Sequence, residues 1–217
     1  LGKDDSNTVD TTYYLGRSLY NQKQYEEAEQ VFSHFLDGSS DLFRKDRTVI
    51  WIAYYLGRSL DRQKEYTKAE SVFRKWLDLG WELIREHNIQ NVKDSSVWKY
   101  ASSETISLAT WLAGTLVRHG KYEEAEVVCK KWLPRSTKQY GNDNAKTYWL
   151  RNWLGRAFEG QQNYVEAESE FQVCLNLAIE LFEKENEWTI EMATRLGQSL
   201  YYQENYSEAE AVFREWL

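Results

Sequence analysis

Hydrophobic positions along this chain recur with the period of an α-helix, and the same arrangement returns five times. In the second copy, small or apolar residues line one face of a first helix and then one face of a second helix. These positions are Ala53, Leu56, Gly57 and Leu60, followed by Tyr66, Ala69, Phe73, Trp76 and Leu77. The polar turn 63–65 between the two helices is long enough only for an antiparallel helix hairpin. Each copy therefore predicts two packed helices.

The spacing of the copies predicts a repeat array with one insertion. The leading leucines are Leu15, Leu56, Leu112, Leu154 and Leu196, which are 41, 56, 42 and 42 residues apart. One hairpin cannot bury its own apolar face, so neighbouring hairpins must stack. We predict an all-α fold, a solenoid of five stacked antiparallel helix hairpins forming a single domain over residues 1–217. The repeats span about 8–43, 48–86, 101–138, 147–185 and 189–217.

Small residues indicate where the two helices of a hairpin approach closely. Gly57 and Ala69 hold these positions in the second repeat, and a larger side chain at either would cost ~1–3 kcal/mol. We expect the aromatic residue after each turn to fill the space that the small residues leave. These aromatic residues are Tyr25, Tyr66, Tyr122, Tyr164 and Tyr206. We also expect large residues late in the second helices to fill the seams between repeats. They are Phe35, Trp76, Trp132 and Trp216.

The insertion at 80–100 interrupts the repeat and contains Trp81 and Trp98. It predicts a lengthened second helix, a loop and a lengthened first helix. Functionally it either covers the groove or contacts a neighbouring domain, or it is a tolerated surface loop.

The order Leu-Gly, aromatic, Ala, aromatic resembles the tetratricopeptide repeat. The period of about 42 residues, longer than the common 34, resembles the repeats of kinesin light chains and of the sensor regions of NOD-like receptor proteins, notably fungal ones. Those families carry Glu-Ala-Glu after the tyrosine. Here it stands at Glu27-Ala28-Glu29, Glu124-Ala125-Glu126, Glu166-Ala167-Glu168 and Glu208-Ala209-Glu210, with Lys68-Ala69-Glu70 as the variant. Their linker, similar to Leu-Gly-x-Asp-His-Pro-Asp-Thr, is matched at 1–8 and 140–147, but without the His-Pro pair.

This resemblance implies that the solenoid is a right-handed, TPR-like superhelix. It also implies a protein-binding module rather than an enzyme, with no cofactor. It supports two hypotheses. In the first, the chain is the ligand- or peptide-sensing repeat region of a NOD-like (STAND-type) signalling receptor, and binding relieves or triggers an attached ATPase domain. In the alternative, it is a constitutive cargo or scaffold adaptor of the kinesin light chain type. A phosphate loop upstream would favour the receptor, and coiled-coil heptads upstream would favour the adaptor.

Two features of the ends indicate a piece of a longer protein. Leu1 aligns with Tyr140, near the end of a preceding second helix, and no polar capping helix is visible at either end. We expect the natural protein to continue in both directions. Self-association through the uncapped ends is a further hypothesis.

Net charge and cysteine content indicate which partners the chain can bind and in which cellular compartment it acts. The net charge of −7 disfavours non-specific binding to nucleic acid or to an anionic membrane. No apolar run approaches the ~20 residues that a membrane span needs. Two cysteines, the lack of a disulfide framework and the lack of a signal peptide predict a cytoplasmic protein.

The first helices predict a peptide-binding groove on a concave face. Offsets −5, −2, +2, +5 and +6 from the leading leucine are not needed for packing, and they are rich in aromatic residues and arginine. The candidate binding residues are Tyr13, Arg17, Trp51, Tyr54, Arg58, Arg62, Arg118, Trp149, Asn152 and Arg156. Both residue types are enriched at interface hot spots, and guanidinium groups bind carboxylates or phosphates. We predict an acidic, partly aromatic peptide segment as the ligand.

A structural interpretation of the same residues stays open. The arginines at offset +2 could pair with a glutamate of the adjacent repeat's Glu-Ala-Glu, and the aromatic residues could serve packing. The carboxylate clamp of chaperone-binding repeats needs Lys and Asn at set positions, and only Asn152 could match it.

Residues with catalytic or metal-binding chemistry do not form a recognisable set. His34, His87 and His119 fall at different registers of different repeats, so no pair has metal-ligand spacing. Cys129 and Cys174 lie on the apolar faces of second helices, where a free cysteine behaves as a small hydrophobic residue. We predict no catalytic residue, no metal site and no cofactor.

Overall fold

The computed structural model describes residues 6–37, 48–89 and 95–216, and the side chains of 7–37, 48–82 and 103–216. Ten helices lie in these residues, and none of the described residues is in a strand. The helices are α1 (Ser6–Asn21), α2 (Tyr25–Leu36), α3 (Thr48–Arg62), α4 (Tyr66–Ile89), α5 (Ser95–Arg118), α6 (Tyr122–Tyr140), α7 (Ala145–Gly160), α8 (Tyr164–Phe182), α9 (Glu187–Tyr202) and α10 (Tyr206–Trp216). The predicted all-α helical repeat is confirmed.

The chain divides into two compact units, Leu1–Thr115 and Leu116–Leu217, and the division falls in the last turn of α5. In unit 1, α1 packs on α2 and α3, α2 packs on α3, and α3 packs on α4. In unit 2, each helix from α6 to α10 packs on the next one along the chain. Each unit is therefore built from consecutive helices that pair with their sequence neighbours.

A glycine in the first helix of a hairpin receives a phenylalanine ring from the second helix. A Cβ atom on Gly57 would lie 2.4 Å from Cε1 of Phe73, whose side chain is fully buried. The same contact joins Gly16 to Phe32, Gly155 to Phe171 and Gly197 to Phe213. We expected the tyrosine after the turn to fill this space, and that expectation is wrong. The phenylalanine seven residues later fills it, because that residue faces the first helix.

The hairpin turns share one backbone conformation. Lys64 has a φ of +64°, and Lys23, Gln162 and Glu204 take nearly the same value at the equivalent position. Gly120 has a φ of +77° in the third repeat. The turn is closed by a bond from Glu65 N to Leu60 O of 2.9 Å, which satisfies a carbonyl that the helix end leaves open. The left-handed residue reverses the chain within three residues.

The second glutamate of Glu-Ala-Glu is held by a glutamine from the following repeat. In unit 1, Gln63 Nε2 donates to Glu29 Oε2 at 2.7 Å and to the Tyr25 carbonyl at 3.3 Å. In unit 2, Gln161 donates to Glu126 at 2.8 Å. Gln203 likewise donates to Glu168 at 2.7 Å and to the Tyr164 carbonyl at 3.2 Å. The motif therefore joins successive repeats within a unit.

The helices around the insertion are the longest described. Both α4 and α5 have 24 residues, whereas α1, α3, α7 and α9 have 15 or 16. Residues 90–94 and the side chains of His87 and Trp98 lie outside the described residues. No helix in the described part of the chain is long and apolar enough to cross a membrane.

Candidate functional site

Two tyrosine–arginine pairs lie on the first helices of unit 1, at offsets −2 and +2 from the leading leucine. In α1, Arg17 Nη1 donates to Tyr13 Oη at 3.1 Å. In α3, Arg58 Nη1 donates to Tyr54 Oη at 3.3 Å. We call these pairs the Tyr–Arg dyads. The four-residue spacing places both members of a dyad on one helix face, so the contact follows from the sequence.

Arg58 lies among aromatic rings. Its Cζ atom is 4.3 Å from the ring centroid of Trp111, 4.7 Å from that of Tyr20, 5.2 Å from that of Tyr54 and 5.4 Å from that of Tyr55. Its Nε atom is fully buried and has no hydrogen-bond acceptor among the described residues. A guanidinium over aromatic faces is held by cation–π attraction, which is stronger when water is excluded. The rings fix the position of the charge but do not neutralise it.

Arg62 adds a third cation to this surface. It is exposed, and its hydrogen bond to the buried Tyr20 raises the pKa of the Arg62 guanidinium. The neighbouring Asp61 is buried and accepts a hydrogen bond from Thr115 Oγ1 at 2.8 Å. In the described part of the chain, no carboxylate forms an ion pair with any of the three arginines. We call Tyr13, Arg17, Tyr54, Arg58 and Arg62 the unit 1 arginine surface.

The tyrosines of the dyads are neutral at physiological pH. Burial raises the pKa of Tyr54 above its ordinary value, against the opposing effects of the Arg58 charge and of a hydrogen bond from Trp111. Burial likewise raises the pKa of Tyr13. Each phenol therefore keeps its proton and can donate a hydrogen bond.

Two first-helix arginines of unit 2, Arg156 and Arg195, are neutralised by carboxylates. Arg156 Nη2 lies 2.6 Å from Glu191 Oε1, and Arg195 lies 2.5 Å from Glu159 and 3.1 Å from Glu191. Burial, followed by the nearby Arg195 charge, lowers the pKa of Arg156. Arg156 does form an ion pair with a glutamate, as the structural alternative in the sequence analysis proposed. Its partner, however, is Glu191 of a first helix rather than a glutamate of Glu-Ala-Glu. That motif is held by glutamine instead.

One residue of the predicted groove does not reach the surface. Asn152 is fully buried, where its Nδ2 donates to Met192 Sδ at 3.2 Å and its Oδ1 accepts from Arg156 Nε at 2.8 Å. Because both ends of the amide are held within unit 2, Asn152 serves packing. Asn152 therefore does not line the peptide-binding groove, contrary to the prediction from the sequence.

The remaining predicted aromatic and arginine residues are dispersed. Trp51 is half-buried, with its ring centroid 5.2 Å from that of Tyr54, so it borders the unit 1 arginine surface. Trp149 is half-buried and packs against Tyr148, Phe182 and Trp188 in unit 2. The Arg118 Cζ atom lies 5.1 Å from the ring centroid of Trp153.

The position immediately before the leading leucine was missed by the sequence interpretation. It carries Tyr14, Tyr55, Trp111, Trp153 and Arg195. Tyr55 and Trp111 supply two of the rings around Arg58, and Arg195 completes the ion network of unit 2. The recurrence of large aromatic residues at one offset was the signal that could have revealed it.

The cysteines offer no nucleophile. Both are buried, and burial raises the pKa of the Cys129 and Cys174 thiols far above the ordinary range. They stay protonated at neutral pH. Among the residues described, no group of three His, Cys, Asp or Glu side chains could hold a metal ion.

Family models match the chain at two places. Tetratricopeptide repeat models match residues 146–217 and residues 9–36. These segments are tetratricopeptide repeats. Such repeats are generally non-catalytic scaffolds, and they imply a protein–protein interaction module. No curated protein sequence shows significant similarity to the chain.

Solved structures of low sequence identity share the fold. BtubC (BKLC) from P. vanneervenii is 18% identical with a TM-score of 0.75, over 96% of this chain and 78% of that one. A putative kinesin light chain with TPR-like repeats from Podosopora anserina is 11% identical with a TM-score of 0.69, over 96% and 93%. MamA from Desulfovibrio magneticus RS-1 is 16% identical with a TM-score of 0.63, over 96% and 92%. At these identities the likeness concerns the fold alone.

Proposed function

We propose that this interaction module binds an acidic, partly aromatic segment of another protein on the unit 1 arginine surface. One observation carries the proposal: Arg17, Arg58 and Arg62 have no carboxylate ion-pair partner among the described residues, whereas Arg156 and Arg195 do. The overall net charge is −7, so this local concentration of positive charge runs against the composition. Arginine, tyrosine and tryptophan are the residues enriched at interface hot spots, and all three meet on this surface.

The pre-ordered state of Arg58 favours binding. Its four aromatic neighbours hold the side chain in one place, so little rotamer freedom is lost when an anion arrives. The half-buried Trp51 and Tyr13 supply adjacent apolar area for an aromatic side chain of the ligand. We expect an affinity on the order of micromolar.

The test is a calorimetric titration with a peptide of alternating glutamate and aromatic residues, and with its Glu→Gln counterpart. The variant is Arg17→Gln with Arg62→Gln, because both side chains are exposed, and urea unfolding checks that the variant stays folded without the hydrogen bond from Arg62 to Tyr20. The matched control is Lys130→Gln with Arg214→Gln, which removes the same charge from exposed second-helix positions of unit 2. Each titration is run at low and at high salt.

The proposal predicts salt-sensitive binding of the glutamate peptide to the wild type and to the control, with at least tenfold weaker binding to the Arg17/Arg62 variant. Equal binding by variant and control would show that net charge acts without a defined site. Tyr14, Leu15 and Tyr206 are each at least half exposed, and self-association through these residues would distort the measured affinity. The oligomeric state of the free chain is therefore measured by sedimentation beside the titration.

For the biological setting we propose the sensor region of a NOD-like receptor, acting in the cytoplasm. The repeated core beside first-helix positions that differ between repeats suits a sensor, because ligand contacts can change without disturbing the packing. The buried free cysteines suit a reducing compartment. In the natural protein, an acidic ligand that alters the ATPase rate of an attached nucleotide-binding domain would support this role. A coiled coil without such a domain would instead support the cargo or scaffold adaptor.

A further inference from the structure

The Tyr–Arg dyads are confined to the first two repeats. At the equivalent offsets, the third repeat has Thr110 and Gly114, the fourth has Asn152 and Arg156, and the fifth has Thr194 and Gln198. Both dyads lie in unit 1, on helices that pack against each other, and Tyr13 of the first dyad contacts Tyr55, the residue next to Tyr54. The two dyads therefore form one surface with a repeated element.

The tyrosine hydroxyl groups of the two dyads have no hydrogen-bond acceptor among the described residues. The Tyr54 oxygen accepts a hydrogen bond from Arg58 Nη1 at 3.3 Å. A phenol has one O–H donor besides its acceptor lone pairs, so the Tyr54 hydroxyl can still donate a hydrogen bond. No described residue accepts the Tyr54 O–H, and the same is true of Tyr13, whose oxygen accepts from Arg17. Each dyad offers a donor that is polarised by an adjacent positive charge.

We infer that the Tyr13 and Tyr54 hydroxyls donate directly to the ligand, and that the ligand presents two carboxylate side chains, one to each dyad. This inference rests on the proposed function and specifies its contacts. Each dyad carries one positive charge, which matches a single carboxylate better than a phosphate of about −1.5 to −2. Arg17 and Arg58 then act as positioning residues that fix and polarise the phenols.

The distance between the dyads sets the spacing of the two carboxylates. Packed helices such as α1 and α3 have axes about 8–10 Å apart, and the dyads occupy the same register on each. A chain in the polyproline II conformation has three residues per turn and rises about 3.1 Å per residue, so side chains at i and i+3 lie on the same side of it, roughly 9 Å apart. On a helical peptide, by contrast, residues three or four apart are only about 5–6 Å apart. The ligand is therefore a segment in the polyproline II conformation with acidic residues at positions i and i+3.

The test compares peptides of constant composition in which two glutamates stand one, two, three or five residues apart, binding to Tyr13→Phe, Tyr54→Phe and the wild type. Phenylalanine keeps the ring but removes the O–H group. Tyr55→Phe is the matched control, because the Tyr55 ring belongs to the same cluster without accepting from an arginine. A Glu→Gln substitution in the best peptide, combined with each Tyr→Phe variant, completes a double-mutant cycle.

We expect the i, i+3 peptide to bind at least several-fold more tightly than the others. Tyr54→Phe should weaken it roughly tenfold, as expected for a hydrogen bond to a charged group, and Tyr55→Phe should not. The Tyr54→Phe loss should vanish for one of the two Gln-substituted peptides and persist for the other. Unchanged binding in both dyad variants, or no preference for spacing, would overturn the inference even where the arginine variant still loses binding.

A second measurement keeps this inference separate from the proposed function. If the wild type binds no acidic peptide, the proposed function fails. The dyads are then tested with sodium acetate on protein labelled with ¹³C at tyrosine Cζ. The inference predicts saturable shifts of the Tyr13 and Tyr54 signals without a shift at Tyr55. Uniform or absent shifts would refute it.

Discussion

Alanine substitutions at two glycines of α7 test what makes an added methyl group destabilising: its distance from the neighbouring ring or the burial of that ring. In α7, a Cβ on Gly155 would lie 2.7 Å from Phe171 Cε1, and a Cβ on Gly160 would lie 2.4 Å from Tyr122 Cδ1. Distance alone predicts the greater damage at Gly160. Phe171 is fully buried, however, whereas Tyr122 is only half-buried and its ring can turn toward solvent. We therefore expect the greater damage at Gly155.

The magnitude follows from two opposing effects. Overpacking a core costs ~1–3 kcal/mol, and the phenylalanine ring has no free space to enter. Alanine in place of glycine in a helix interior stabilises the helix by at most about 1 kcal/mol. The buried ring atoms 2.7 and 2.9 Å from the added Cβ place the overpacking cost in the upper part of its range, so Gly155→Ala should lower the free energy of unfolding by about 1–2 kcal/mol. Gly160→Ala, at the last residue of α7, should change it by less than about 0.5 kcal/mol.

The assay is urea unfolding followed by circular dichroism at 222 nm. The third repeat carries Ala113 and Cys129 at the positions that hold glycine and phenylalanine in the other repeats, which suggests a compensating change. We expect the stability loss of the Gly155→Ala, Phe171→Cys double variant to be smaller than the sum of the two single-variant losses by at least about 1 kcal/mol. A Gly155→Ala protein as stable as the wild type would refute the reasoning, as would a larger loss at Gly160.

Three further predictions concern the ion network, the link between repeats and the thiols. Arg156→Met should lower the unfolding free energy by about 1–3 kcal/mol, because it removes the ion pair to Glu191 and leaves the buried Asn152 Oδ1 without its donor, yet it should leave the affinity for the acidic peptide unchanged; urea unfolding and calorimetry of the same variant test both parts. Gln203→Ala should cost about 1–2 kcal/mol in urea unfolding, since its loss frees Glu168; a neutral effect would contradict the role given to the motif. Cys129 and Cys174 should resist a thiol reagent at neutral pH until the chain unfolds, and rapid labelling of the native protein would contradict their burial.

Much of the fold could be predicted because helix periodicity and repeat spacing are local properties of the sequence. The turn at 63–65 and the helix pair around it lie where the pattern indicates. The partner of Gly57 was predicted incorrectly because several aromatic residues follow each turn, and the sequence does not say which one faces the glycine. The structure shows that Phe73 does, since it lies two turns into α4 on the side toward α3.

The candidate site was harder to predict because its contacts join neighbouring repeats. The i, i+4 contact within each Tyr–Arg dyad follows from helix geometry. Which residue of the next repeat faces Arg58 or Arg156 depends on how the first helices lie side by side. In unit 1 that neighbour is Trp111, and in unit 2 it is Glu191. Equivalent arginines therefore have an uncompensated charge in one unit and a neutralised charge in the other.

The most direct test of the central claim is nuclear magnetic resonance mapping of an acidic peptide with glutamates at i and i+3 on ¹⁵N-labelled protein. We predict that the largest shifts fall on α1 and α3 and on the side-chain signals of Arg17, Arg58 and Arg62. The signals of Arg156 and Arg195 should stay in place. Shifts centred on α7 and α9, or on second helices, would contradict the claim that the unit 1 arginine surface is the binding site.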